Sequence, residues 1–164
     1  MINFFEENCR EENIVYGQFG ICDDQNGKVA YIDVDHPSKW IASVINPTSK
    51  PICFTAIDNC IEIKRENGDM DSRCDGMIDY QDNIVFIELK NQLTGGWASD
   101  GLEQIESTIL HYQQNHDLSS HKYKRAFVIN KKRKHFQTIE TELKRRFFDT
   151  YQVRISIGGE INIK

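Results

Sequence analysis

An acid and an ammonium stand at the end of a strand that should carry neither. The run Ile84-Val85-Phe86-Ile87 is apolar on both faces, as a buried central strand requires, and it continues as Glu88-Leu89-Lys90. Side chains alternate along a strand, so Glu88 and Lys90 share one face, about 6.5–7 Å apart at Cα. Charges in such a place are costly unless they are paired or hold a ligand. The preceding run, Cys74–Gln81, supplies a second acid, Asp75. With Asp82-Asn83 as a two-residue turn, Gln81 faces Ile84, Met77 faces Glu88 and Asp75 faces Lys90. Cross-strand partners point to one side, so Asp75, Glu88 and Lys90 converge. A one-residue slip would send Asp75 to the other face. Gly76 beside it leaves room for close approach or a bulge.

Two carboxylates and the Leu89 carbonyl form a hard, all-oxygen donor set. That set suits Mg²⁺, or Mn²⁺, and not zinc. Mg²⁺ keeps several waters, so one can attack while another position takes a phosphate oxygen. Lys90 can orient that water or offset charge on phosphorus. The chemistry implied is phosphodiester hydrolysis. The alternative is a salt-bridged hairpin, Lys90 paired with Asp75 or Glu88 and nothing more. Asp79 shares the face of Asp75 and reads as a second candidate ligand or a hairpin residue near the turn.

The elements that position these residues follow from periodicity and turn chemistry. Residues 2–13 suggest a short helix and 14–34 a hairpin around Asp23-Asp24-Gln25-Asn26-Gly27. Ser38 could cap a short helix through Trp40, Ile41, Val44 and Ile45, ended by Pro47. Strands are expected at 52–56, 61–64, 74–81, 84–91 and 126–129. A helix from Ser99 or Asp100 to about 116 carries the stripe Leu102, Ile105, Ile109 and Tyr112. A second covers about 135–149. The tail, 152–157 and 160–163 around Gly158-Gly159, reads as a closing hairpin. The fold class is α/β (α+β), a mixed central sheet flanked by helices.

Asp75-x12-Glu88-x-Lys90, with Glu-x-Lys closing an apolar strand, resembles the motif of the PD-(D/E)xK nuclease superfamily, the restriction-endonuclease-like fold. The text Cys74-Asp75-Gly76-Met77-Ile78-Asp79-Tyr80 and Ile84 to Lys90 is similar to that family's two core strands. The following helix and strand match its αβββαβ core in order, over about residues 50–130. In this reading residues 1–49 add an N-terminal helix and hairpin, and residues 131–164 a basic helix and closing hairpin, to one domain. The resemblance implies that Asp75, Glu88 and the Leu89 carbonyl bind the metal and that Lys90 is catalytic. Cys74 stands where the family name has Pro. Some members carry Gln-x3-Tyr on the next helix; here Gln104 is followed by Thr108, with Tyr112 one turn beyond, so Gln104 alone is carried over, to assist catalysis. Several relatives add an early Glu, for which Glu7, Glu11 and Glu12 are candidates.

Charge is uneven along the 164 residues. Residues 1–120 hold 8 Lys+Arg against 21 Asp+Glu, a net of −13; residues 121–164 hold 12 against 4, a net of +8. The cluster Lys122, Lys124, Arg125, Lys131, Lys132, Arg133 and Lys134 could follow a phosphate backbone. It could equally be a solvated face. The nuclease reading takes DNA in preference to RNA as its substrate. The acidity of residues 1–120 supports the competing reading, a catalytically inert nuclease-fold protein acting as a binding partner or immunity-type module. A symmetric homodimer is a further possibility. The five cysteines (9, 22, 53, 60 and 74) are odd in number and without a CxxC pair, which disfavours a zinc knuckle or disulfide framework. Reduced thiols in a cytoplasm are expected. No stretch is long and apolar enough for a membrane span, and the N-terminus has no signal-peptide pattern. His111, His116 and His121 are five apart, the wrong spacing for a one-turn metal pair, and read as surface residues. Trp97, after Gly95-Gly96, could contact a base or cover the core.

Overall fold

The computed structural model describes residues 1–134 and 138–164. Among the described residues, ten strands and two α-helices form a mixed α+β fold with two sheets. The strands are β1 (Arg10–Ile14), β2 (Gln18–Cys22), β3 (Tyr31–Asp33), β4 (Ala42–Ile45), β5 (Ile52–Ala56), β6 (Gly76–Tyr80), β7 (Asn83–Lys90), β8 (Tyr123–Asn130), β9 (Arg154–Ile157) and β10 (Ile161–Asn162). The helices are α1 (Trp97–Asn115) and α2 (Thr141–Tyr151). The larger sheet runs β1-β5-β6-β7-β8-β9 and the smaller β10-β4-β2-β3. Strands β5, β6 and β7 pair antiparallel; β7, β8 and β9 are parallel. Parallel neighbours need a crossover, and α1 and α2 supply the two.

The large sheet is covered on both faces, which accounts for the unbroken apolar run in β7. On one side Met77, Ile84, Phe86 and Val128 pack with Leu102, Ile105, Ile109 and Tyr112 of α1. On the other, Ile78, Val85, Ile87 and Leu89 pack with Phe19, Ile21 and Val44 of the small sheet. Helices therefore flank one face of the main sheet, not two.

Several sequence expectations are corrected. Residues 2–13 form a 3-10 turn (Glu7–Cys9) and edge strand β1 in place of a helix. Pairing with β5 outweighs the helical preference of the Glu-rich text. The segment after Ser38 is a 3-10 turn, Pro37–Lys39, then β4, whose alternating burial suits a strand. Residues 61–64 contribute only an isolated bridge, Lys64 to Met70. The second helix begins at Thr141; residues 135–137 lie outside those described. The tail is no hairpin. Gly158 and Gly159 both take positive φ, and the chain crosses between sheets, so β9 joins β8 while β10 joins β4. Five reduced thiols are not found either. Cys9 and Cys60 form a disulfide, while Cys22, Cys53 and Cys74 are free. Disulfides persist in oxidising surroundings, so the cysteines lend the cytoplasmic expectation no support. Among the described residues no helix is long and apolar enough to cross a membrane.

Candidate active site

The β6–β7 hairpin turns one residue earlier than its text suggests. Tyr80 pairs with Asn83, so Gln81 and Asp82 are the central residues, and Gln81 takes a φ of 47°. Gly76 then pairs with Ile87, and the register continued by one step sets Asp75 opposite Glu88, not Lys90. The difference is two positions along the partner strand. Because side chains alternate with period two, Asp75 keeps its face, and the convergence with Glu88 and Lys90 survives.

Each contact in the cluster has a local cause. The ladder ends where Asp75 N–H donates to the Ile87 carbonyl at 3.1 Å, and the same N–H lies 3.1 Å from Glu88 Oε1. Leu89 N–H points to the same edge, past Gly76, the first residue of β6, and donates to Asp75 Oδ2 at 2.7 Å. The Leu89 carbonyl points to that edge too, since a strand residue aims both backbone groups to one side. Lys90 Nζ is 3.1 Å from Glu88 Oε2 and donates to Gln104 Oε1 at 2.6 Å. Gln104 Nε2 donates to the Arg73 carbonyl at 3.3 Å, and Arg73 is ion-paired with Asp58 at 2.9 Å.

Helix α1 holds this corner through Gly101, Gln104 and Thr108, spaced on one face. A Cβ on Gly101 would lie 2.5 Å from Val128 Cγ1 and 3.4 Å from Glu88 Cγ, so only glycine lets the helix sit this close. Gly76 is similarly constrained against the Phe54 ring. Thr108 Oγ1 accepts from Cys74 N–H at 2.8 Å and donates to the Gln104 carbonyl at 2.9 Å. It ties the chain beside Asp75 to the helix turn that carries Gln104. In the sequence Thr108 stands only as the residue where the Gln-x3-Tyr pattern has Tyr, and its bridging role was not expected; a hydroxyl on the stripe that faces the core was the available signal.

Asp75 is 6% exposed and Glu88 3%. Burial is the main cause of a raised Asp75 pKa, pushed up to about 6, and the nearby charges of Asp23 and Asp58 add to it. Glu88 is raised well above the usual carboxylate range, by burial first and then by Asp75; Lys90 opposes the rise. Two buried carboxylates thus face one ammonium. Once both are ionised they outnumber the single ammonium beside them, and a hard divalent cation, with a carbonyl at the same edge, would offset that charge. The ligands would be Asp75, Glu88 and the Leu89 carbonyl.

Other expected residues stand elsewhere. Asp79 is bound by Arg10 through two hydrogen bonds, 2.7 and 3.0 Å, and is not at the site. Glu7, Glu11 and Glu12 are exposed beside or on β1, with β5 and β6 between β1 and β7, and none reaches the pair. Among the described residues no three Asp, Glu, His or Cys side chains gather into a metal cluster. The histidines are partnered, not free on the surface. His111 bonds Asp71 at 2.8 Å, His116 accepts from Phe4 N–H at 3.1 Å and His121 bonds the Tyr112 hydroxyl at 2.9 Å. Trp97, the first residue of α1, is buried in the core. The basic residues separate into two groups. Lys131, Lys132, Arg133 and Lys134 follow the end of β8 that pairs with Lys90, and Lys131 N–H donates to the Lys90 carbonyl. Lys122, Lys124 and Arg125 lie at the opposite end, level with Asn83.

No protein-family model, curated protein or solved structure matches the chain in comparisons with known proteins.

Proposed function

We propose that the chain is a Mg²⁺-dependent nuclease of PD-(D/E)xK type that hydrolyses phosphodiester bonds, DNA in preference to RNA, with Mn²⁺ able to replace Mg²⁺. The observation that carries the reading is the meeting of Asp75, Glu88 and Lys90 at the open end of a buried hairpin, under a helix that contributes Gln104. The strand order antiparallel, antiparallel, then helix and parallel strand is consistent with the restriction-endonuclease-like core.

A divalent cation there would polarise the scissile phosphate and lower the pKa of a water. Asp75 and Glu88 supply the charge that holds it, and the Leu89 carbonyl a neutral oxygen. Leu89 N–H fixes the Asp75 carboxylate, leaving its other oxygen for binding. Lys90, held between Glu88 and Gln104, stands where it can orient an attacking water or offset charge on phosphorus. Lys131 to Lys134 border the same strand ends and favour a phosphate backbone.

Plasmid nicking tests this directly. Cleavage is expected with Mg²⁺ or Mn²⁺ and not with EDTA. Lys90→Ala should lower it at least ~10²-fold while circular dichroism stays that of the wild type. Wild-type cleavage by Lys90→Ala would exclude the mechanism. One observation favours the inert binding module: the net −13 of residues 1–120, which repels a polyanion. That reading predicts no nicking and no heat on titration with Mg²⁺ or Mn²⁺.

A further inference from the structure

The second group of basic residues lines a cavity that the proposed nuclease site does not use. It has a volume of about 740 Å³ and is enclosed by the β6–β7 turn, the start of β8, the end of α2 and the start of β9. Asn83 on its wall and Lys90 at the catalytic corner stand at opposite ends of β7, about 23 Å apart at ~3.3 Å per residue. We propose that this cavity binds a nucleotide, gripping its phosphate with the cations and its base against the stacked side chains. The inference does not depend on the nuclease reading.

Charge selects the phosphate. Lys122, Lys124, Arg125 and Arg154 line the cavity, with Asp82 as the acidic side chain among its walls. Among the described residues none of these four cations forms a salt bridge. Two are fixed by neutral oxygens. Lys124 Nζ donates to the His121 carbonyl at 2.6 Å; Arg125 donates to the Asn162 carbonyl at 2.8 Å and to the Tyr80 hydroxyl at 3.1 Å. These bonds orient the side chains and leave their charge unneutralised, which is how a preorganised anion site is built.

Ring stacking selects the base. The Arg154 guanidinium lies 4.6 Å from the centroid of Phe148, and Lys122 Nζ lies 5.4 Å from that of Tyr123. Phe148 and Tyr123 both line the cavity, and Tyr123 is 53% exposed. A guanidinium backed by one ring can stack a second flat ring on its free face, and an exposed tyrosine offers another surface for a base. The volume is that of a small-molecule site. A bare anion would use the cations and ignore the rings; a nucleotide uses both. The nucleotide could be free or one unit of a strand, and the binding experiment separates those sources.

The experiment is calorimetric titration of the full chain, in EDTA, with adenosine 5′-monophosphate, adenosine, inorganic phosphate and a twelve-residue oligothymidylate. Saturable binding of the monophosphate is expected, with adenosine and phosphate each at least ~10-fold weaker. Arg154→Gln and Lys122→Gln should each weaken the monophosphate by ~10-fold, while Lys39→Gln, exposed and outside the cavity lining, should not. Lys122 is exposed, so its variant serves should Arg154→Gln fail to fold. An oligothymidylate that binds more tightly than the monophosphate, and is weakened by the same variants, would identify a strand as the source. One that binds no more tightly would identify a free nucleotide. The proposal is overturned if neither nucleotide probe binds, if both substitutions leave binding unchanged, or if phosphate alone binds as well as the monophosphate. Loss of nicking by Lys90→Ala, with monophosphate binding intact, would show that the two sites fail separately.

Discussion

Replacing Asp75 by Asn should make the metal-free protein more stable at pH 8. Asp75 and Glu88 are buried side by side, and both bind protons more tightly in the folded chain than carboxyls ordinarily do. Where folding raises a carboxyl pKa, the folded state holds protons that the unfolded chain has released. Stability therefore falls as pH rises from the ordinary carboxylate range near 4, and the loss is complete only above the folded values. For Asp75 the change from 3.8 to about 6 corresponds to about 3 kcal/mol at ~1.4 kcal/mol per pKa unit. Because Glu88 shares the effect, about 1–3 kcal/mol is the expected gain. Asparagine keeps an oxygen for Leu89 N–H, at 2.7 Å from Asp75 Oδ2 in the wild type, and its amide can donate to Glu88. Urea unfolding in EDTA, without reductant, would be followed at pH 4 and pH 8. The advantage of Asp75→Asn should be present at pH 8 and should shrink toward zero at pH 4. Mg²⁺ at about ten times its dissociation constant should stabilise the wild type by about 1.4 kcal/mol and leave the variant unmoved. A variant no more stable than wild type at pH 8 would refute the argument that the pair is an unrelieved excess of charge.

Three further outcomes are expected. Gly101→Ala would bring a methyl within 2.5 Å of Val128 Cγ1, so it should cost about 1–3 kcal/mol in urea unfolding and lower nicking by moving α1 off the strand end. Reducing the Cys9–Cys60 disulfide, or Cys60→Ser, opens a loop spanning 51 positions, which should cost about 4 kcal/mol by chain entropy; equal unfolding midpoints with and without dithiothreitol would contradict the bond. Gln104→Ala removes the 2.6 Å acceptor of Lys90 and should reduce nicking ~10-fold with Mg²⁺ affinity unchanged in calorimetry. A parallel loss of affinity would instead make Gln104 a support for the carboxylates.

What the sequence by itself determined is the face on which two acids and a lysine gather. Strand alternation makes Asp75, Glu88 and Lys90 share a side in any register that differs by two, so the cluster withstood a misplaced turn. The buried strands β7 and β8 and the stripe of α1 were legible for the same reason: their patterns are local and strongly periodic. Tertiary structure decided what depends on partners remote in the chain. β1 is a strand because β5 offers an unpaired edge, against the helical tendency of its glutamates. Two glycines send β9 and β10 to different sheets. Cys9 meets Cys60 across 51 positions. The basic run was one cluster in the text but lies at both ends of β8 in space, since a strand separates by about 3.3 Å per residue what the sequence prints side by side.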